Sequence, residues 1–327
     1  MRFLLLVLGI CAAAAARVGV AGVPSARRGT IAPDTSAPDT IVSFNAGSLA
    51  LPLRAALDSF AARTGTIVMQ ENAGSLETAR KLIDLGRTPD VIALADEAVF
   101  GQLLMPRYVR WYIRFARNRM AIAYSPRSKF AREIGSENWY RILTRPGVVV
   151  GRADPSLDPN GYQTLLTLAL AERYYHAPEL TRTLTASPAT VRPKETDLLA
   201  LVELGEFDYA WSYESIAEAA GLEFVRLPAP INLGEPADSA LYATVSVRVA
   251  GRTPKDSIVI TGRPIVYGIA IPAGAAHPRA GRSFLAYLLS PDGARVLRAA
   301  HLDVIACPTS VGVDVPSGLS SSSSCRR

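Results

Sequence analysis

The order of short apolar runs and amphipathic stretches between residues 41 and 94 constrains the fold more than any other feature of the chain. Ile41-Val42-Ser43-Phe44 reads as a strand, and Leu53, Ala56, Leu57 and Phe60 then repeat at i, i+3, i+4 and i+7, the spacing of a helix with one buried face. Pro52 falls in the first turn of that helix, where a missing N–H is harmless. Thr66-Ile67-Val68-Met69 is a second strand, Ser75 to Leu85 a second helix closed by Gly86, and Asp90 to Leu94 a third strand. A β-α-β-α-β order implies a parallel sheet with right-handed crossovers.

A second unit of the same kind follows. Its strands are expected at Met120 to Tyr124, Val148 to Gly151 and Tyr209 to Tyr213, and its helices at about Gly161 to Tyr175 and Glu195 to Leu204. A strong strand at Pro264 to Ile271 and two helices, from about Ala280 to Leu289 and Pro291 to Ala299, complete the pattern. With 327 residues, 49% of them apolar, there is material for two lobes with separate cores. The net charge of +6 is modest and its basic residues are scattered, so nucleic acid is excluded as a partner.

Both ends of the chain read as non-globular. Arg2, the apolar run Phe3 to Ile10 and the small residues Ala12 to Ala16 make residues 1–22 a signal peptide, which implies an exported, periplasmic or extracytoplasmic protein. Ile10 before Cys11 argues against lipid attachment. Residues 23–39 are a Pro/Ser/Asp linker, and residues 313–327 a disordered Ser-rich tail. An oxidising compartment permits a Cys307–Cys325 bridge, although a buried Cys307 thiol with Cys325 loose in the tail is the expectation. No cysteine or histidine spacing resembles a metal site.

In α/β sheets the ligand crevice lies at the carboxyl ends of the strands. Two helix starts there carry Gly-Ser pairs, Gly47-Ser48 and Gly74-Ser75, and such starts bind oxyanions or are plainly N-capped by the serine. Two others carry acids: Asp158 in Asp158-Pro159-Asn160-Gly161-Tyr162 and Glu195 in Val191 through Asp197. A carboxylate repels an oxyanion unless the central atom of the anion accepts carboxylate oxygens as ligands. Arg192 and Lys194 flank Glu195 and are expected to lower its pKa.

Several stretches carry a resemblance to a known family. They are Ala46-Gly47-Ser48-Leu49, Asp90 to Ala93, Trp111-Tyr112 with Phe115 to Asn118, Asn138-Trp139-Tyr140, Asp158 to Tyr162, Val191 through Leu199 (VRPKETDLL), Ile231-Asn232-Leu233 and Pro264 to Gly268. Together, in this order over residues 41–305, they resemble the periplasmic molybdate/tungstate-binding proteins of ABC importers, in particular the branch best known from archaea. The resemblance implies a type II periplasmic-binding-protein fold, two α/β lobes joined by crossover strands near Met120 to Tyr124 and Pro264 to Ile269. Lobe I is then residues 40–121 plus 266–312, and lobe II residues 122–265. It also implies an oxyanion site of Ser48, Ser75, Asp158, Glu195 and Tyr213. Asp158 and Glu195 there ligate the Mo or W centre, raising its coordination from four oxygens towards six. Several relatives carry an acid just before the tyrosine; here it is Ser212, which strand alternation places on the face opposite Tyr213 and so outside the site.

The expected function is therefore capture of tungstate or molybdate, with no catalytic residues and no cofactor, by a monomer that closes on the anion and docks on ABC permease subunits. The alternatives are a binder of sulfate, phosphate or ferric iron, a sensor rather than a transporter subunit, or a hydrolase using Asp158 and Glu195 as an acid/base pair. The last lacks a nucleophile motif.

Overall fold

The structure, a computed structural model, describes residues 39–250 and 256–319. The expected signal peptide, nearly all of the linker, Cys11, Cys325 and the end of the tail lie outside the described residues.

The strands in chain order are β1 (Thr40–Ala46), β2 (Ile67–Ala73), β3 (Val91–Leu94), β4 (Trp111–Asn118), β5 (Met120–Tyr124), β6 (Val150–Ala153), β7 (Val191–Arg192), β8 (Tyr209–Tyr213), β9 (Glu223–Arg226), β10 (Ser246–Ala250), β11 (Ser257–Thr261), β12 (Ile265–Ala270) and β13 (Asp303–Gly312). They form a six-stranded sheet in the order β13-β4-β12-β3-β1-β2, a five-stranded sheet in the order β7-β6-β8-β5-β9, and the β10-β11 hairpin. The β-α-β-α-β unit read from the sequence is the parallel part of the larger sheet, β1 pairing parallel with both β2 and β3. β12 returns antiparallel between β3 and β4, so that sheet is mixed. The smaller sheet repeats the scheme, β6 being parallel to β7 and β8 and β5 antiparallel to β8 and β9.

Each sheet is covered by the amphipathic helices that the periodicity marks. Helix Ala50–Thr64 buries Leu53, Ala56, Leu57 and Phe60. It packs with helices Pro278–Leu288 and Pro291–Ala299, where Phe60 meets Phe284 edge-on at 5.6 Å. In the second lobe, helix Pro159–Tyr174 lies on β6 and β8, and Trp139 stands edge-on to Trp211 at 5.5 Å. Helix Glu195–Leu204 ends at Gly205, whose φ of +81° is the left-handed C-cap expected of glycine.

One residue, Arg119, separates β4 in the first sheet from β5 in the second. The chain returns after the hairpin through Gly262 to Pro264 into β12. Past β13 the body continues beyond the boundary expected at residue 312. Val313 N donates to Arg110 O at 3.0 Å, Asp314 pairs with Arg110 at 2.6 Å, and Leu319 is buried. These anchors hold residues 313–319 on the first lobe despite their polar, turn-rich composition. Cys307 is disulfide-bonded and exposed, against the expectation of a buried thiol. It lies in the edge strand β13, between Val304 and Thr309, where the pairing with β4 is interrupted.

Candidate functional site

The register of each sheet aligns the strand ends that build the site. Ala46 pairs with Ala73, so β1 and β2 finish level and Gly47-Ser48 and Gly74-Ser75 leave the sheet side by side. Ala153 pairs with Arg192, and Asp154 N donates to Arg192 O at 2.8 Å, which brings the loop to Asp158 beside the approach to Glu195. Gly161 permits that loop to fold onto its helix: a Cβ there would lie 2.6 Å from Ala153 O. Tyr213 is the last residue of β8. All five positions therefore sit at carboxyl ends of strands, where the topology places a crevice.

The structure brings the five residues together and buries all of them, the most accessible being Asp158 at 7%. They are connected in series. Glu195 N donates to Asp158 Oδ2 at 3.2 Å, and Tyr213 N donates to Glu195 Oε1 at 2.6 Å. The Tyr213 ring stands edge-on to Tyr267 at 6.3 Å, and the Tyr267 hydroxyl donates to Ser48 Oγ at 3.2 Å. Ser75 is held against the other lobe by its neighbour. A Cβ on Gly74 would lie 1.9 Å from the Leu157 carbonyl oxygen and 3.2 Å from Asp158 Cα. The lobes are thus in main-chain contact at this point. Tyr162 adds a second bridge, its hydroxyl donating to Asp96 Oδ2 at 2.8 Å across the cleft.

Neither serine caps its helix with its side chain. Ser75 Oγ accepts from Ala95 N at 2.9 Å, and Ser48 Oγ accepts from Tyr267. Asp158 does cap, its Oδ1 accepting from Asn160 N at 3.0 Å, so this acid serves helix and cleft together. The Tyr213 hydroxyl is buried, feels the charges of Glu195 and Asp158, and has no hydrogen-bond partner among the described residues.

The two acids sit in an unfavourable place for charge. Burial pushes the Asp158 carboxyl up to about 6, against the opposing pull of its two backbone donors. Burial, and then the negative Asp158 beside it, push Glu195 up to about 8. This reverses the expectation that Arg192 and Lys194 would lower the Glu195 pKa. Arg192 turns away, its guanidinium over the Phe207 ring at 5.0 Å and donating to Ala189 O and Val191 O. Burial also pushes up the phenols of Tyr213, Tyr162 and Tyr267, which keeps them protonated hydrogen-bond donors.

Ser212 is a correction. Alternation was expected to keep it out of the site, yet Ser212 Oγ donates to Glu195 Oε1 at 2.7 Å. Glu195 meets β8 at its carboxyl end, where Tyr213 offers a main-chain N–H rather than its ring. The Ser212 hydroxyl and the Tyr213 N–H thus share one acceptor oxygen. Asn118, Tyr267, Tyr162 and Asp96 were likewise missed as site neighbours. Asn118 ends β4, Asp96 follows the end of β3 and Tyr162 lies in a helix's first turn, while Tyr267 stands inside β12 with no local signal.

Comparison with known proteins agrees with this architecture. The molybdate/tungstate-binding protein WtpA of Pyrococcus abyssi is 35% identical over 301 residues, 83% of this chain and 86% of its own length. An uncharacterised solute-binding protein of Petrotoga mobilis is 41% identical over 277 residues, 84% of this chain and 86% of its own length. Among solved structures, the periplasmic molybdate-binding protein of Azotobacter vinelandii superposes with a TM-score of 0.60 at 16% identity, covering 80% of this chain and 98% of that one. The sulfate-binding protein SubI of Mycobacterium tuberculosis gives 0.57 at 17%, covering 86% and 89%. At such identities the likeness is one of fold, and the fold is the expected type II periplasmic-binding arrangement of two α/β lobes. The sequence pattern of one family runs through both lobes, from residue 41 to residue 303, and places the chain among the bacterial extracellular solute-binding proteins.

Proposed function

We propose that this solute-binding protein captures tungstate or molybdate outside the cytoplasm and delivers it to the permease of an ABC importer, without breaking any bond. One observation carries the reading: Asp158 and Glu195 are adjacent, buried and without an ion-pair partner among the described residues, beside a Tyr213 hydroxyl that has no acceptor there. Beside an inert tetrahedral dianion such a pair is strongly unfavourable in a dry cleft. Beside a Mo(VI) or W(VI) centre the same oxygens become ligands, since hard oxygen donors suit a high-valent metal. The names and identities of the molybdate/tungstate-binding relatives support the same choice.

In this mechanism Ser48, Ser75 and Tyr213 donate hydrogen bonds to the oxo groups while Asp158 and Glu195 bond the metal. Tyr213 thereby gains the acceptor that it lacks. Ligation requires the carboxylate form, so capture releases the protons that burial otherwise retains. The anion bridges groups from both lobes and shifts the population towards the closed form, the form that the permease recognises. Residues 1–22 serve as the export signal.

Calorimetry against tungstate, molybdate, sulfate, phosphate and ferric iron tests the ligand, and X-ray absorption of the tungstate complex counts the oxygens around the metal. Tight tungstate or molybdate binding with a shell of six oxygens is expected. Sulfate binding without a tungstate signal, or an untouched four-oxygen shell, overturns the proposal.

A further inference from the structure

Ser48 brings one hydroxyl to the cleft, and which way its hydrogen points decides whether it attracts an anion or repels it. Ser48 Oγ accepts from the Tyr267 hydroxyl at 3.2 Å, and that hydroxyl accepts from Asn118 Nδ2 at 2.7 Å. An amide nitrogen only donates, so the sequence Asn118 to Tyr267 to Ser48 runs one way. The Asn118 amide cannot turn over, because its Oδ1 accepts from the main-chain Arg119 N at 2.9 Å while Nδ2 also donates to Ser215 Oγ at 2.6 Å. Burial holds the Tyr267 phenol in its protonated form. Ser75 obeys the same logic through the backbone, its oxygen already accepting from Ala95 N.

We propose that Asn118 and Tyr267 are positioning residues that aim the Ser48 hydroxyl hydrogen into the cleft, so that the first lobe offers the bound oxyanion donors only. Neither residue touches the guest in this scheme; each acts through Ser48. The scheme rests on the reading of Ser48 as an anion contact. The donor series begins at the last residue of β4, beside the single residue that joins the two sheets. The polarity of the cleft is thereby set by a side chain at the pivot.

A double-mutant cycle tests the relay, because residues acting through one contact are non-additive. Wild type, Ser48→Ala, Tyr267→Phe and the double variant are titrated by calorimetry with whichever of tungstate, molybdate, sulfate and phosphate the wild type binds. Thermal melts confirm folding. Tyr267→Phe is expected to weaken binding about tenfold, the loss of one hydrogen bond to a charged guest. Ser48→Ala should lose about as much, and the double variant no more than either alone.

Asn118→Asp provides a second, independent arm, replacing the donor by an acceptor of the same shape and reversing the series. It should cost at least as much as Ser48→Ala while Ser48 is present, and little more once Ser48 is already alanine. Unchanged affinity in Tyr267→Phe, an additive cycle, or an Asn118→Asp loss that persists without Ser48 overturns the relay while leaving the anion site standing. Failure of the wild type to bind any of the four anions overturns both.

Discussion

Gly74→Ala is the sharpest test of how the lobes meet. The added Cβ would lie 1.9 Å from the Leu157 carbonyl oxygen and 2.8 Å from its carbon, against an ordinary contact of roughly 3.5 Å. The obstacle is main chain on the opposite lobe, so no rotamer change relieves it, and the lobes must stay about 1.5 Å further apart at this point. Overpacking costs about 1–3 kcal/mol where side chains can yield. With rigid backbone on both sides we take about 3 kcal/mol as the floor, or roughly 100-fold in affinity. The lobe itself is not strained, since Gly74 has φ −62° and ψ 152°, values open to alanine. The ligand-free melting temperature should therefore move by no more than about 2 °C, and upward if the stiffer unfolded chain dominates.

The assay is a melt with and without tungstate, backed by calorimetry and small-angle scattering. At tungstate a thousandfold above the wild-type Kd, ligand stabilisation is about 4.1 kcal/mol; a hundredfold weaker variant retains about 1.4 kcal/mol. The ligand-induced rise should shrink to about a third, and the compaction on binding should be lost. Binding within about threefold of wild type, with normal compaction, would show that the lobes do not approach through Gly74 and Leu157.

Tyr162→Phe deletes the hydrogen bond to Asp96 across the cleft and should weaken tungstate binding about tenfold by calorimetry without lowering the ligand-free melting temperature. Asp158→Ala and Glu195→Ala should each reduce tungstate affinity far more than they reduce stability, as read by paired titration and melting. Unchanged affinity with both replaced would remove the metal-ligand role. Both carboxyls have folded-state values raised above the ordinary ones. Both belong to the second lobe, whose fold their neutral forms thus stabilise fully below about pH 4, and that stability is lost as pH rises through about 6 for Asp158 and about 8 for Glu195. The ligand-free melting temperature should fall between pH 5 and pH 8.5, and the double Asp158→Asn, Glu195→Gln variant should flatten the fall; an equal slope in both proteins would refute the assignment.

The alternation of apolar runs and amphipathic helices made both lobes legible, because burial of one helix face and both sheet faces leaves periodic traces. Ser48, Asp158 and Glu195 stand in the matching motifs, Ser75 in a Gly-Ser helix start and Tyr213 only through what the resemblance implies; the structure gathers all five at strand ends. The β10-β11 hairpin and β13 are absent from the sequence reading, although Ser246–Ala250 and Ser257–Thr261 carry the β-branched residues that favour strands. Ser212 departs from the expectation because alternation fixes the face of a strand but says nothing of what approaches its end. Asn118 and Tyr267 lie inside stretches that match the family, with nothing local to mark what they do. Their roles depend on contacts 149 and 219 residues apart in the chain, which no local pattern encodes.

The position of β12 between β3 and β4 has a consequence for the birth of the protein. The smaller sheet draws its strands from one continuous stretch and is complete once Arg226 has emerged. The larger sheet lacks an inner member until Ile265–Ala270 is available, leaving β3 and β4 as raw edges. A nascent chain therefore keeps half of its body unfinished until late, a state vulnerable to premature pairing with a neighbour.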